Sequence, residues 1–331
     1  VEVEEKDRVY EGDVYAHIKG RSFAGIASEH ADRLSSDLIE GAPYIVDSIL
    51  RDVLGRSTTE VNTASIGAVG NDVTGRRPQL QWKYRRSITE RENSINLIGS
   101  LCFESGMALF QDHQDRETLF AVDYKAPVCT LTSASVLDVG GVPQVRARQT
   151  DVSNIFNQFS VRYQYSHARG TFLKEIRCDE SSSNMTDTLR PDSDGLGATY
   201  PLLCAKSQTI YRKVRKFSHD AEWIGNAETA ERFLKHIINW TAIRRWEVEG
   251  KFAMTADTLS LELGDTVVLS LDLLPTSVQA SNVFLVTRIV DGGLANPGVL
   301  TLGFTMVPIV LGTYADGYGF NYGETGYGTQ L

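Results

Sequence analysis

Several groupings in this 331-residue chain carry side chains that chemistry could use, and each falls short at the spacing that its chemistry requires. His219 and Asp220, with Glu222 and His236 further on, offer zinc-type ligands. No His pair stands at i, i+4, however, and no Cys spacing accompanies them. They read as polar residues at the start and on the surface of a helix. Asp112-His113-Gln114-Asp115 reads as a hairpin turn. In Pro191-Asp192-Ser193-Asp194-Gly195, setting Gly195 at the sixth position of a calcium loop puts Arg190 first and Pro201 twelfth, where carboxylates are required. The nearest approach to GxSxG, Gly20-Arg21-Ser22-Phe23-Ala24, lacks the final Gly. There is no GxxxxGK[ST], and the glycines after Gly317 precede no helix that could hold a phosphate. Glycoside hydrolysis needs two carboxylates but no local motif, so Glu29, Asp32, Glu222 and Glu247 are the candidates for a cell-wall hydrolase. The stronger expectation is a chain with no catalytic, metal or cofactor site.

Composition narrows the partners. Net charge is -9, against nucleic acid as a general partner, because counterion release needs clustered Lys and Arg. No apolar run approaches the roughly 18 residues of a membrane helix. The start, VEVEEKDRVYEGD, is acidic and lacks the basic-then-apolar order of a signal peptide. With no Met at position 1, a piece of structure upstream is expected. Cys102, Cys129, Cys178 and Cys204 form no CxxC and read as buried free thiols. Two basic stretches remain: 76–86, with Arg76, Arg77, Trp82, Tyr84, Arg85 and Arg86, and 211–216, with Tyr211, Arg212 and Lys213. On an acidic chain such clusters meet an acidic partner surface or a neighbouring copy. Tyr318 and Tyr322, in the Gly/Tyr-rich end, join them as interface candidates, since Tyr gives contact area at low entropic cost. An aromatic platform for glycans, in that end or along Phe159–Tyr165, is a third reading.

The elements that would position these residues follow from periodicity. Pro43 opens a helix stopped by Gly55; Val61–Val69 is β-prone; a second helix runs from about Ile88 to Phe103; MALFQ and TLFAVDY form a hairpin. Residues 126–210 are mainly β, with a long polar loop at 181–200. A helix from about Ala227 to Ile243 buries Ala230, Phe233, Leu234, Ile237 and Ile238, with Trp240 beside them. It leads into a strand starting at Trp246. Then come TLSLEL, TVVLSLDLL, NVFLVTRIV and GVLTLGFTMVPIV, read as strands of a closed or nearly closed barrel. Phe233, Ile237, Trp240, Trp246, Gly264 and Asp265 would make a rigid helix-to-strand joint. The fold class is α+β: α+β insert domains with antiparallel β-barrel domains. Its segments are 1–20, the end of an upstream barrel; 21–130, α+β; 131–225, mainly β; 226–311, helix plus C-terminal barrel; and 312–331, an arm.

APYIVDSILRDVLG, LIGSLCFESGMALFQD, NQFSVRYQYSHARGTF and the run from Ala221 to Ser270 resemble the middle of phage tail hub proteins over residues 40–310. The pattern lies in Ala227, Ala230 and Leu234 of the helix, then in Leu261-Glu262-Leu263-Gly264-Asp265-Thr266-Val267-Val268-Leu269. The resemblance implies a tail-tip or baseplate hub, in which tube-like β-barrels and inserted α+β domains assemble as a homotrimer. The barrels would mimic the sixfold tail tube and line a channel for genome ejection, with DNA met only in passage. The implied partners are the tail tube or a distal tail protein, a tip or spike protein, and a tape-measure protein. The implied place is the virion tail tip, after assembly in the host cytoplasm.

Overall fold

A computed structural model describes residues 39–70, 83–88, 92–122, 127–190, 199–275, 278, 283–292 and 298–308. Helix α1 (Ala42–Ser48) starts on Pro43 and widens into a looser turn, Ile49–Val53. Helix α2 (Thr63–Gly70) replaces the strand expected at Val61–Val69. There the Asn62 side chain accepts from the Ser65 amide (3.2 Å), and Ile66 and Val69 are buried on one helical face. Cap and burial outweigh the weak β preference of the valines. Helix α3 (Ser94–Ser105) is capped by Asn93 and ended by Gly106 at φ 62°. The hairpin of β1 (Met107–Gln111) and β2 (Glu117–Ala121) follows as expected.

Short strands β3 (Cys129–Thr132), β4 (Asp138–Val139), β5 (Val142–Pro143) and β6 (Val145–Gln149) come next, then the long hairpin of β7 (Gln158–Ser166) and β8 (Thr171–Cys178). Helix α4 (Tyr200–Tyr211) lies in a region read as mainly β; Thr199 caps it and Pro201 sits in its first turn. Strand β9 (Lys216–Asp220) and helix α5 (Ala227–Thr241) precede β10 (Trp246–Ala253). TLSLEL is not a strand. Thr255 and Thr258 form a capping box that starts the short helix α6 (Ala256–Leu259), and Leu261 then turns into the core. Strands β11 (Thr266–Ser270), β12 (Val283–Asp291) and β13 (Val299–Met306) complete the described chain.

Two cores result. The first gathers α1–α5, the β1–β2 hairpin and a sheet of order β8-β7-β9. The second is the inner face of a six-stranded sheet, order β3-β11-β12-β13-β10-β6. Leu131, Phe252, Leu269, Phe284, Val286, Leu302 and Phe304 converge there with Leu261, Leu271 and Leu274 from the connecting segments. No residue of the five longer helices enters that cluster. A one-sided sheet without a covering helix must curl over its own apolar face. It is a curled half-barrel: among the described residues its edges β3 and β6 do not pair with each other. The expected α+β class holds as a mixed α/β fold.

The cores are interleaved along the chain. Strands β6 and β10 are neighbours in the sheet, yet residues 150–245 intervene and fold onto the first core. Contiguous segmentation cannot anticipate this, because strand pairing is non-local. The polar loop is pinned over its described part, 181–190. Glu231 accepts from the Thr186 (2.8 Å) and Asp187 (3.0 Å) amides, and Arg190 donates to Asn239 (3.2 Å).

Candidate assembly surface and its supporting joint

The joint is built where the chain crosses between cores. α5 presents Ala230, Phe233, Leu234, Ile237 and Ile238 to the first core, the stripe that 3.6-residue periodicity predicts. Asn226 caps it, accepting from the Thr229 amide at 2.8 Å. Phe233 meets Phe103 and His219 edge-on or tilted, at 5.6 and 5.4 Å between ring centres. Past the helix, the outgoing and returning chains are tied together. The Thr150 amide donates to the Arg245 carbonyl (2.8 Å), the Arg245 amide to the Thr150 hydroxyl (2.9 Å), and Arg244 Nε to the Thr150 carbonyl (2.7 Å). The buried Arg245 lies over the Trp240 ring at 5.0 Å and donates to the Trp240 carbonyl. Trp246 then edges the second core.

A second contact ties the cores together. The ring of Phe120, on β2, lies directly over Gly264, and His113 reaches the Leu261 carbonyl at 3.4 Å. Gly264 has φ +85°, a conformation glycine adopts without cost. Asp265 fixes the turn by accepting from the Glu262 amide (2.8 Å).

The turn that carries His113 is organised by Asp112. Its buried carboxylate accepts from the Gln114 and Arg116 amides, Arg116 Nε and the Thr118 hydroxyl, at 2.9 to 3.1 Å. Burial alone would raise this carboxyl; the hydrogen bonds from Arg116, Gln114 and Thr118 outweigh it and hold the group well below the usual range. A carboxylate depressed on folding stabilises above its unfolded pKa, near 3.9, and that contribution is lost as pH falls towards the folded value. Asp112→Asn should therefore lower stability at pH 7 by about 1–3 kcal/mol. It should also flatten the acid limb of a urea-melt series below pH 4.

His219 is not the surface residue that the sequence suggested. It stands between Phe103, Phe217 and Phe233 and reaches the buried Glu104 at 3.4 Å. Glu104 also accepts from the Glu222 (3.0 Å) and Trp223 (3.1 Å) amides. Burial raises the Glu104 carboxyl above its ordinary value, against the opposing pull of His219 and those amides. Its folded state thus binds protons more tightly, and stability falls as pH rises from about 4.3 through the folded value. His219→Ala removes one donor and an aromatic contact. It should cost about 1–3 kcal/mol and steepen that fall, as measured by melts at pH 4.5 and 7. His236, the other imagined ligand, packs on Gly106; burial, with the Arg245 charge, pushes its imidazole down to about 4.

The candidate interface residues separate. Tyr84 is 2% exposed and donates to the Glu104 carbonyl (3.2 Å), so its ring fills the first core and is not open to a neighbour. Trp223 is likewise buried and donates to the Ser100 hydroxyl (2.9 Å). Arg86 is engaged within the chain by Glu92 (2.7 Å) and Glu222 (2.5 Å), over the Trp223 ring. Arg85 is exposed and reaches the Gly225 carbonyl at 3.2 Å. Tyr211 accepts from the Arg244 amide (3.0 Å), stitching α4 to the joint. Arg212 and Lys213 are exposed beside it. Arg76, Arg77, Trp82, Tyr318 and Tyr322 lie outside the described residues, as do Glu29 and Asp32. Of the hydrolase candidates, Glu222 sits against the first core and Glu247 on the outer face of the half-barrel, paired with Arg148. Phe159 and Tyr163 of the aromatic strand are buried; Tyr165 is exposed at the hairpin end, beside His167 and Phe172.

Sequence reasoning missed the hairpin of β4 and β5. Val139 and Val142 pair across a Gly140-Gly141 turn and are 65% and 60% exposed. The signal was the Gly-Gly dipeptide between valines. Among the described residues no group of three or more His, Cys, Asp or Glu side chains could hold a metal ion, and no helix is long and apolar enough to cross a membrane. All four cysteines are free thiols, with Cys102, Cys178 and Cys204 buried.

No family model matches the chain, and no curated protein does. Three solved structures to which it is similar are virion and tail proteins. One is a chain in the virion of a native gene transfer agent particle, at 15% identity and TM-score 0.47, matched over 90% of this chain and 55% of that one. Another is the 43 kDa tail protein of prophage MuSo2 from Shewanella oneidensis, at 15% identity and TM-score 0.43, over 85% and 71%. A third is a tail protein from Neisseria meningitidis MC58, at 13% identity and TM-score 0.39, over 68% and 57%. The chain thus spans little more than half of the first of these.

Proposed function

We propose that this chain is a structural hub of a phage-type tail tip or baseplate: a homotrimeric ring that adapts the sixfold tail tube to a threefold tip and lines the channel through which the genome leaves. The observation that carries this reading is the insertion of residues 150–245 between adjacent strands β6 and β10. Barrel strands interrupted by an inserted α+β domain are the arrangement that the sequence resemblance implies. The tied crossing at Thr150 and Arg245 supports it, because an adaptor needs its insert held at a set angle to the barrel. Exposed Val139, Val142, Ile95, Arg212 and Lys213 supply apolar and basic surface for subunit contacts. The reading gives the chain no catalytic role. Its partners are the tail tube or distal tail protein, a tip or spike protein and the tape-measure protein, within the virion. Light scattering on the purified chain should give three times its 36.6 kDa mass. A stable monomer at micromolar concentration would count against the hub.

A further inference from the structure

Helix α4 is apolar on two sides. Tyr200, Leu203 and Cys204 enter the first core, whereas Leu202 and Ile210, with Val214 just past the helix end, stay 50, 56 and 55% exposed. Positions eight residues apart fall on one broad helical face. Beside this strip stand the exposed Arg212, Lys213 and Lys216. Buried Asn157 fixes the segment that carries them. Its side chain donates to the Lys213 carbonyl (2.9 Å) and accepts from the Arg215 amide (2.8 Å), and its own amide donates to the Arg215 carbonyl (3.0 Å). Arg212 is held at φ 49°, a left-handed conformation that a residue with a Cβ enters only at a cost. Carboxylates near this segment are already engaged, Asp151 by the Ser153 amide (2.6 Å) and Glu180 by Gln208 (2.6 Å). An apolar strip with a basic rim, on a preset backbone, has the anatomy of a contact surface.

The half-barrel carries the complementary chemistry. Val128, which extends β3 alongside Thr266, is exposed, as are Asp257 and Leu259 on α6. Burial raises the Cys129 thiol and the charges of Asp257 and Asp265 raise it further, which sets both carboxylates near the start of β3. We propose that α4 and its basic rim dock, head to tail, on this α6–β3 surface of a second copy. Within one copy both surfaces are exposed, so they do not cover each other. The α4 face does not suit its own twin, because a twofold contact would bring two basic rims together, and juxtaposed like charges are costly. The head-to-tail contact instead sets Lys213 and Lys216 against carboxylates, and Ile210 and Val214 against Val128 and Leu259. A contact between two different surfaces repeats in one direction and closes into a ring when the rotation permits. The proposal rests on the ring reading above and supplies its subunit contact: the insert of one protomer on the half-barrel of the next. The tie at Thr150 and Arg245 would then set the angle between the two contacts.

Equal mixtures of light and heavy-isotope-labelled full chain, coupled with a zero-length carbodiimide, should yield mixed-label cross-links from Lys213 or Lys216 to Asp257. Cross-links confined to one label would overturn the proposal. In sedimentation velocity, Lys213→Glu/Lys216→Glu and Asp257→Lys should each weaken association by roughly tenfold or more, and all three changes together should restore it to within about threefold. Ile210→Ser, which changes no charge, should weaken it by about tenfold with the far-ultraviolet circular dichroism unchanged. Losses that add in the combined variant would overturn the pairing of these charges. Association of full strength in all four variants would overturn this interface, give the α4 face to a different protein and leave the ring reading standing. A chain that stays monomeric at every concentration reached would overturn both.

Discussion

Phe233→Ala should destabilise the chain by about 3–5 kcal/mol, the usual cost of emptying an aromatic site in a core. Phe233→Asp should leave no folded protein, because a carboxylate there has no partner to offset its lost hydration. The ring is fully buried on α5 and sits against Phe103 and His219. Its loss opens a cavity beside His219, which reaches the buried Glu104. The same helix leads through residues 242–245 into β10, so loosening it also frees the insert relative to the half-barrel. Urea melts followed by tryptophan fluorescence give the magnitude. Ile95→Ala, at an exposed position on α3, should stay within about 0.5 kcal/mol.

Gly264→Ala should be the next most damaging change, at about 2–5 kcal/mol from two separable causes. A left-handed backbone costs a residue with a Cβ about 1–2 kcal/mol. The added Cβ would also stand 2.2 Å from Phe120 Cγ, so the hairpin must lift, and overpacking of this kind costs about 1–3 kcal/mol. The causes part in a double-mutant cycle. Phe120→Ala should recover the steric share when combined with Gly264→Ala and leave the backbone share in place. Additive effects of the two changes would mean that the hairpin does not rest on this turn.

Much of this joint was legible in the sequence. The spacing of Ala230, Phe233, Leu234, Ile237 and Ile238 defined one helical face, and the alternation from Trp246 to Phe252 defined one strand face. Both signals are local and periodic. What failed was non-local or balanced by weak forces. Val61–Val69 carries β-preferring valines but is settled by the Asn62 cap and the burial of Ile66. The helix at Tyr200 follows a stretch of Ser, Asp and Gly that masked its Thr199 cap. Tyr84 looked like a surface aromatic because its neighbours are charged, yet its ring is buried and its hydroxyl finds a buried partner, the Glu104 carbonyl. The insertion between β6 and β10 could not be read from either strand alone. The matching runs Val145-Arg146-Ala147-Arg148 and Glu247-Val248-Glu249 hinted that they pair, but carried nothing about the fold between them.

The central claim is that this chain is a structural adaptor built as a barrel with an insert, and symmetry tests it most directly. Electron microscopy of particles carrying a tag after Gly141, at the exposed hairpin end, should show three tags around the tail axis, next to rings of six. Tags in sixes along the tube, or none on intact particles, would contradict it.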